Sequence, residues 1–255
     1  MKPRVLKLAT WNIGGGILGD SHQRRGSPSL DYFASVLKTN TPDIACLQEA
    51  HDYHGRREGQ IEYLARLVGY PYRASFPVSE SHLAPDASLA LGILSRFPIR
   101  DVAYREFPNP RLEAVGPNGE PWLLHDKGYA VGSIETGCRT LGIVTGHCFP
   151  LHRFGASPVE PRFAPMWEML AQDLRAVGSA GEAWVAMDMN YGRVGDLLGD
   201  VLRSGSYFSA FDGTPTTPDG VQCDHILYGR AMRLLTTTVA PTESDHSYCQ
   251  ICVLT

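Results

Sequence analysis

The chain has 255 residues, 43% hydrophobic and 20% charged, a soluble globular profile long enough for one large domain. Its net charge of −4 excludes a broadly basic, nucleic-acid-coating surface, though not a local arginine patch beside clustered carboxylates. No apolar run reaches the roughly 18 residues of a membrane span, and the strand pattern beginning near Met1 leaves no room for a leader, so a cytoplasmic location with reduced cysteines is expected.

Leu6 to Ile13 alternates as a strand and ends in Thr10-Trp11-Asn12-Ile13. Gly14-Gly15-Gly16-Ile17-Leu18-Gly19 matches a dinucleotide-binding turn, but loop chemistry from Asp20 to Pro28 follows where that motif must open a helix. The glycines instead suit a close-approach loop. An amphipathic helix runs from Pro28 or Ser29 to Lys38, and Asp43 to Leu47 is a buried strand ending in Gln48-Glu49. A second helix covers Arg56 to Val68, with His51 and His54 as loop histidines before it.

Tyr70 to Ala87 reads as turn-rich, Ser88 to Arg96 as a strand, and Ile99 to Glu106 as its hairpin partner across Phe97-Pro98. Pro108 to Glu120 is a loop. Gly128 to Glu135 and Arg139 to Thr145 form a hairpin whose second strand leads into Gly146-His147. Helices follow over Pro165 to Val177 and Arg193 to Ser204, on either side of a buried strand from Glu182 to Met187. Gln222 to Tyr228 and Tyr248 to Leu254 close the set, with Ser244-Asp245-His246 in the loop between them. Cys249 and Cys252 form a C-x-x-C, but a strand puts them on opposite faces, so they read as thiols rather than ligands.

Asp188 and Asn190 stand at the C-terminal end of the buried strand, where a period of two points both the same way. An acceptor-only anion beside a carboxamide suits a phosphate, a metal's water shell, or both. Asn12, Glu49, His147, Asp224, Asp245 and His246 also lie in or just past strand-like segments, spread along the whole chain.

Thr10-Trp11-Asn12-Ile13, Leu47-Gln48-Glu49, Leu94-Ser95-Arg96-Phe97-Pro98, Asp188-Met189-Asn190, Cys223-Asp224-His225-Ile226 and Ser244-Asp245-His246, in this order, resemble the endonuclease/exonuclease/phosphatase superfamily. The resemblance runs from Leu6 to Val253. It implies an α/β fold of four layers (α/β/β/α), two packed mixed sheets flanked by helices, in a single catalytic domain over residues 1–255. It implies Mg²⁺, or Mn²⁺ in its place, with Glu49 as first ligand and Asn12 and Asp245 nearby. In-line attack of water on phosphorus would use Asp188 to orient or deprotonate the water and Asn190 to hold it or the phosphate. His246, oriented by Asp224, would contact phosphate or take the proton, and His147 would serve as general acid. The choice of base between Asp188 and His246 stays open.

Three positions depart from family patterns. Gly14 stands where the repair endonucleases carry an aspartate, His147 where they carry a tyrosine, and Met187 where glycine usually precedes the aspartate. Arg96, His152 and Arg153 are expected to bind substrate. Arg24, Arg25, Arg56, Arg57 and Arg193 could line a phosphate groove, and Phe149 and Phe154 could stack on bases. A nuclease acting on DNA or RNA is the first expectation. A phosphoesterase for a phosphorylated lipid, sugar or other small molecule is the second, and a non-catalytic phosphate-binding module the third. No obligate protein partner is evident.

Overall fold

The computed structural model describes residues 3–19, 26–116, 119–137 and 139–255. Two six-stranded mixed sheets form its centre, with strands numbered along the chain. In spatial order the first holds β15 (Arg233–Ala240), β16 (Tyr248–Leu254), β1 (Val5–Asn12), β4 (Ile44–Asp52), β6 (Ser88–Ser95) and β5 (Tyr72–Glu80). The second holds β13 (Tyr207–Ser209), β14 (Asp224–Gly229), β12 (Ala183–Asp188), β11 (Thr140–His147), β10 (Gly128–Glu135) and β7 (Ile99–Glu106). Two short ribbons stand apart, β2 (Ile17–Leu18) with β3 (Ser27–Pro28) and β8 (Glu113–Val115) with β9 (Pro121–Leu123). The helices are α1 (Leu30–Asn40), α2 (Gln60–Val68), α3 (Ala164–Val177) and α4 (Val194–Arg203).

Both sheets follow one plan. Each has a single parallel pair at its centre, β1 with β4 and β11 with β12, and antiparallel neighbours outside it. Parallel neighbours need a long crossover. Here α1 carries the chain from β1 to β4, and α3 carries it from β11 to β12. The C-terminal ends of all four central strands supply the polar residues described below.

Strand alternation explains the layering. Leu6 and Leu8 of β1, Ile44 and Cys46 of β4, Leu141 and Ile143 of β11, and Trp184 and Ala186 of β12 fill the space between the sheets. Their neighbours in sequence face outward: Ala9, Trp11, Ala45 and Leu47 meet Phe33, Leu37, Ile61 and Leu64 of α1 and α2. On the other side Val144, Val185 and Met187 meet Leu170, Leu174 and Val201 of α3 and α4. The result is helix, sheet, sheet, helix. No helix among the described residues is long and apolar enough to cross a membrane. Cys46, Cys148, Cys223, Cys249 and Cys252 are free thiols, and Cys138 lies outside the described residues.

Four local expectations fail. Tyr72–Glu80 is a strand rather than a turn-rich stretch; it lies at a sheet edge, where Pro77 and a register shift between Pro77 and Ser79 are tolerated. Ile99–Glu106 does not fold back on Ser88–Ser95. It crosses to the second sheet and pairs with β10. The edge strands β13 and β15 escape a pattern reading because Arg233–Ala240 has little alternation and is largely exposed. The loop after Pro108 contains the β8–β9 ribbon.

Truncation between the sheets should be costly. Ile251→Ala, at a side chain with no exposure, is expected to lose about 2–5 kcal/mol. Leu235→Ala on the exposed edge strand should stay within about 0.5 kcal/mol. Urea unfolding checks both, and similar midpoints for the two would contradict the assigned inter-sheet core.

Candidate active site

The apolar rows between the sheets turn polar at one edge. Along β1 the row Leu6, Leu8 continues as Thr10 and Asn12; along β4, Ile44 and Cys46 lead to Gln48. On the facing sheet Leu141 and Ile143 lead to Thr145 and His147, Trp184 and Ala186 lead to Asp188, and Ile226 leads back to Asp224. Below the site, Gln48 Nε2 donates to Thr10 Oγ1 at 3.1 Å and to Thr145 Oγ1 at 3.4 Å, a buried polar layer between sheets.

Two residues reach the site by leaving the regular strand. Continued alternation would point Glu49, like Ala45 and Leu47, at the helix face. A register shift between Leu47 and Ala50 and a left-handed φ of 55° at Glu49 turn its carboxylate to the site instead. The strand holding Asp188 ends at Asp188. Asn190 adopts φ 50°, so its backbone N–H returns to Asp188 Oδ1 at 2.9 Å. Asp188 and Asn190 therefore meet through a tight turn, not through a strand period of two.

Asp188 is the hub. Asn12 Nδ2 donates to its Oδ2 at 2.9 Å across the two sheets, and His147 Nε2 lies 3.4 Å from that oxygen. Asn190 Nδ2 donates to the Cys148 carbonyl at 3.1 Å and is equally near His147 Nε2. His246 Nδ1 donates to Asp224 Oδ2 at 2.8 Å, leaving Nε2 3.8 Å from Asp188 Oδ2. Thr216 Oγ1 accepts from the backbone N–H groups of Cys223 and Asp224, which fixes the strand start that carries the dyad. Lys127 Nζ lies 3.0 Å from His147 Nδ1 and 3.5 Å from Glu49 Oε1.

A family model described as the Endonuclease/Exonuclease/phosphatase family matches residues 9–246. The chain belongs to the endonuclease/exonuclease/phosphatase family. Members of this family are phosphoester hydrolases. Its fold is similar to that of an endonuclease/exonuclease/phosphatase from Beutenbergia cavernae DSM 12333, at TM-score 0.70 and 17% identity, covering 98% of this chain and 71% of that one. It is also similar to a mannosyl-6-phosphatase from Bacteroides thetaiotaomicron VPI-5482, at TM-score 0.64 and 13% identity over 97% and 99% of the two chains. A third similar structure is a 3′ phosphatase from Neisseria bound to product DNA hairpin, at TM-score 0.60 and 16% identity over 96% and 98%. At these identities the likeness shows the fold alone. A comparison with curated protein sequences finds no match.

Burial and charge set the ionisation of this family site. Burial, helped by Asp224, pushes the Asp188 carboxyl up to about 7, against the opposing pull of His246, Asn12 and the Asn190 amide. Burial alone would lower His246, but the carboxylates of Asp224, Asp188 and Asp245 outweigh it and raise the imidazole to about 10. Asp188 is thus poised to accept a proton near neutrality, and His246 is held as imidazolium.

The donor set suits a divalent cation. Hard cations prefer carboxylate and amide oxygens, and the Asp188 and Asp224 carboxylates lie in one buried cluster with His246, their polar atoms within 4.8 Å of one another; with His246 protonated, the carboxylates are the ligands. Asp224 Oδ1 is buried without a hydrogen-bond partner among the described residues, an exposure to dry surroundings that a cation or water relieves. This grouping differs from the expected trio of Glu49, Asn12 and Asp245. Glu49 is met by Lys127 and His147, while Asn12 uses its amide N–H on Asp188 and its Oδ1 to accept the Gly14 N–H. Asp245 is half-buried beside His246, accepting from Ser244 Oγ at 3.3 Å.

Some expected residues fall elsewhere. Arg96 follows β6 at the start of β4, since Ser95 pairs with Ile44 and the Arg96 N–H bonds the Asp43 carbonyl. That is the opposite end of the strand from Glu49, so Arg96, whose guanidinium lies over Tyr70, is not a substrate contact. Phe149 is buried in the core against Phe107, and Phe154 packs on the same cluster, so neither offers a free stacking face. Arg57 pairs with Asp86 and Arg193 with Asp196, and Arg24 and Arg25 lie outside the described residues. His152 and Arg153 are exposed on a single turn, Leu151–Phe154, and Arg153 acts on Asp219 and Cys223 near the Asp224 side.

The glycine loop meets its expectation of close approach: a Cβ on Gly15, at φ 68°, would fall 2.6 Å from the His51 ring. The sequence reading passed over Lys127 and Thr216. The one signal for Lys127 is its place directly before β10, where Gly128 pairs with His147.

His246 titration gives a pH test. A raised imidazole stabilises the fold fully below its ordinary value near 6.5, and that contribution disappears as pH rises through about 10. Asp224→Asn removes its main cause. The variant should lose about 3–5 kcal/mol at pH 6 and much of the decline in stability between pH 6.5 and 10, measured by urea midpoints across pH. An unchanged pH slope would refute the Asp224–His246 coupling.

Proposed function

We propose that this chain is a divalent-metal-dependent phosphoester hydrolase, one catalytic domain over residues 1–255, acting by in-line attack of water on phosphorus. The observation that carries this reading is Asp188. Its carboxylate is buried, raised toward neutrality, and ringed by Asn12, His147, Asn190 and the Asp224–His246 pair. A purely structural buried acid would be expected to sit in a closed hydrogen-bond set, not at the converging ends of four strands from two sheets.

Mg²⁺, or Mn²⁺ in its place, would be held by Asp188, Asp224 and neighbouring oxygens with Glu49 close by, and would supply charge stabilisation at the phosphoryl group. Asp188 accepts the proton of the attacking water. Asn190, fixed by its turn, orients that water or a phosphoryl oxygen. His246 directs its Nε2 at the phosphate while Asp224 holds Nδ1. His147, against Lys127 and Asp188, is placed to protonate the leaving oxygen.

For substrate, the geometry favours a small phosphate ester over a long nucleic acid. Two of the arginines expected to line a groove are neutralised by acids, and the two phenylalanines expected to stack on bases pack in or against the core. Nucleic acid remains a second reading on one observation, the exposed His152–Arg153 turn on the Asp224 side.

With Mg²⁺ the purified protein should hydrolyse bis-p-nitrophenyl phosphate, and chelation should abolish the activity. Asp188→Asn should lower kcat at least a hundredfold, in keeping with removal of a general base worth about 10²–10⁴. A fully active Asp188→Asn protein would overturn the assignment. Rates on single-stranded DNA, duplex DNA, RNA, phospholipid and sugar phosphates at rising salt separate the substrates, because a nucleic-acid groove loses affinity steeply with salt.

A further inference from the structure

Lys127 is the one lysine or arginine that is buried among the described residues. An ammonium taken out of water costs several kcal/mol unless its donors and its charge are met. Its partners meet it incompletely. Glu49 Oε1 stands at 3.5 Å, long for a structural ion pair, and the His147 ring nitrogens at 3.0 and 3.5 Å offer at most one acceptor in the neutral tautomer. An ammonium has three N–H donors, so among the described residues at least one lacks a close acceptor.

The charge around it points the same way. Glu49, Asp188, Asp224 and Asp245 bring acidic groups to the site, and Lys127 places a buried ammonium beside the first of them. A phosphodiester carries a single negative charge into such a site, whereas a terminal phosphate carries nearly two and presents three charged oxygens. The dianion gains more from a fixed positive charge at the phosphoryl group than the diester does, and Lys127 is the buried ammonium in that corner.

The backbone holds it in place. Lys127 directly precedes β10, its carbonyl accepts the Phe107 N–H at 2.9 Å, and the adjoining Gly128 pairs with His147. Two residues earlier, His125 stacks on His82 with ring centroids 5.6 Å apart. The side chain is therefore delivered by a segment anchored on both sides.

We propose that Lys127 contacts the phosphoryl oxygens of the substrate and biases the site toward a terminal phosphate dianion over a phosphodiester. This rests on the phosphoester-hydrolase reading above and narrows its substrate class. The lysine donates to a non-bridging oxygen, and Glu49 stands beside it as an oxygen donor that would help to hold a divalent ion.

The test compares Lys127→Met, Lys127→Gln and Lys127→Arg with the wild type, each checked for folding by circular dichroism. Two readouts are used: inorganic phosphate binding by calorimetry with Mg²⁺ present, and kcat/KM on p-nitrophenyl phosphate against bis-p-nitrophenyl phosphate. Met and Gln variants should bind phosphate at least tenfold more weakly. They should also lose at least tenfold more on the monoester than on the diester, with Arg recovering most of the preference. Equal losses on both esters with phosphate affinity unchanged would overturn the proposal and leave Lys127 as a structural partner of Glu49. If Met fails to fold, Gln and Arg decide the matter in the same way. A wild type that hydrolyses neither ester would sink the hydrolase reading itself, while phosphate calorimetry would still report on Lys127.

Discussion

Two sheets are held face to face by rows of apolar side chains, and at one edge those rows end in groups that bond across the gap. Asn12 from the first sheet donates to Asp188 of the second, and His246, next to β16, donates to Asp224 of the second. Glu49 faces His147 and Lys127 across the same gap, and the Trp11 indole N–H holds the His246 carbonyl at 3.1 Å. Each contact across the gap depends on the spacing between sheets. That spacing is set by Trp184, Ile143, Ile251 and their neighbours, packed at interior density where a methylene is felt. The site inherits its precision from the core beneath it.

The same arrangement accounts for the charges. Carboxylates at strand ends would repel one another in the open, and burial would push them toward the neutral form. Asp224 bonds the His246 ring at 2.8 Å, and its carboxylate is the largest cause of the rise in His246. Asp188 has two amide donors and no cation in direct contact, so burial prevails and its carboxyl rises. Two acids a few ångströms apart thus differ because their partners differ: one is bonded to a protonated ring and the other has its carboxyl raised toward neutrality.

Much of this could be read from the amino acids because strand alternation is a simple rule. Residues at i, i+2 and i+4 share a face, so polar types at the ends of apolar rows announce an edge site. Asn12, His147, Asp188 and Asp224 all follow that rule. Glu49 and Asn190 do not; each depends on a left-handed residue, a conformation rare at glutamate and, though commoner at asparagine, not fixed by it. Arg96 misled because a tripeptide does not say which end of a strand it occupies. Lys127 left no mark because one lysine before a strand is ordinary until pairing sets it beside His147. Phe149 misled because a basic, aromatic stretch looks exposed, whereas the chain buries its aromatic half.

The two left-handed residues repay closer thought. A non-glycine side chain in that region carries a backbone cost of order 1–3 kcal/mol, sustained only where the surroundings over-determine it. At Asn190 the offset is visible: a backbone N–H to Asp188 and a side-chain N–H to the Cys148 carbonyl. At Glu49 the carboxylate meets groups across the gap, Lys127 Nζ at 3.5 Å and His147 Nδ1 at 3.7 Å. The strain turns the carboxylate into the gap between the sheets, in the same corner as Lys127 and His147. The bulge in β4 and the position of Lys127 therefore belong to one design: the strand gives up regular pairing to aim an acid into the gap, and the lysine before β10 and the histidine of β11 meet it there.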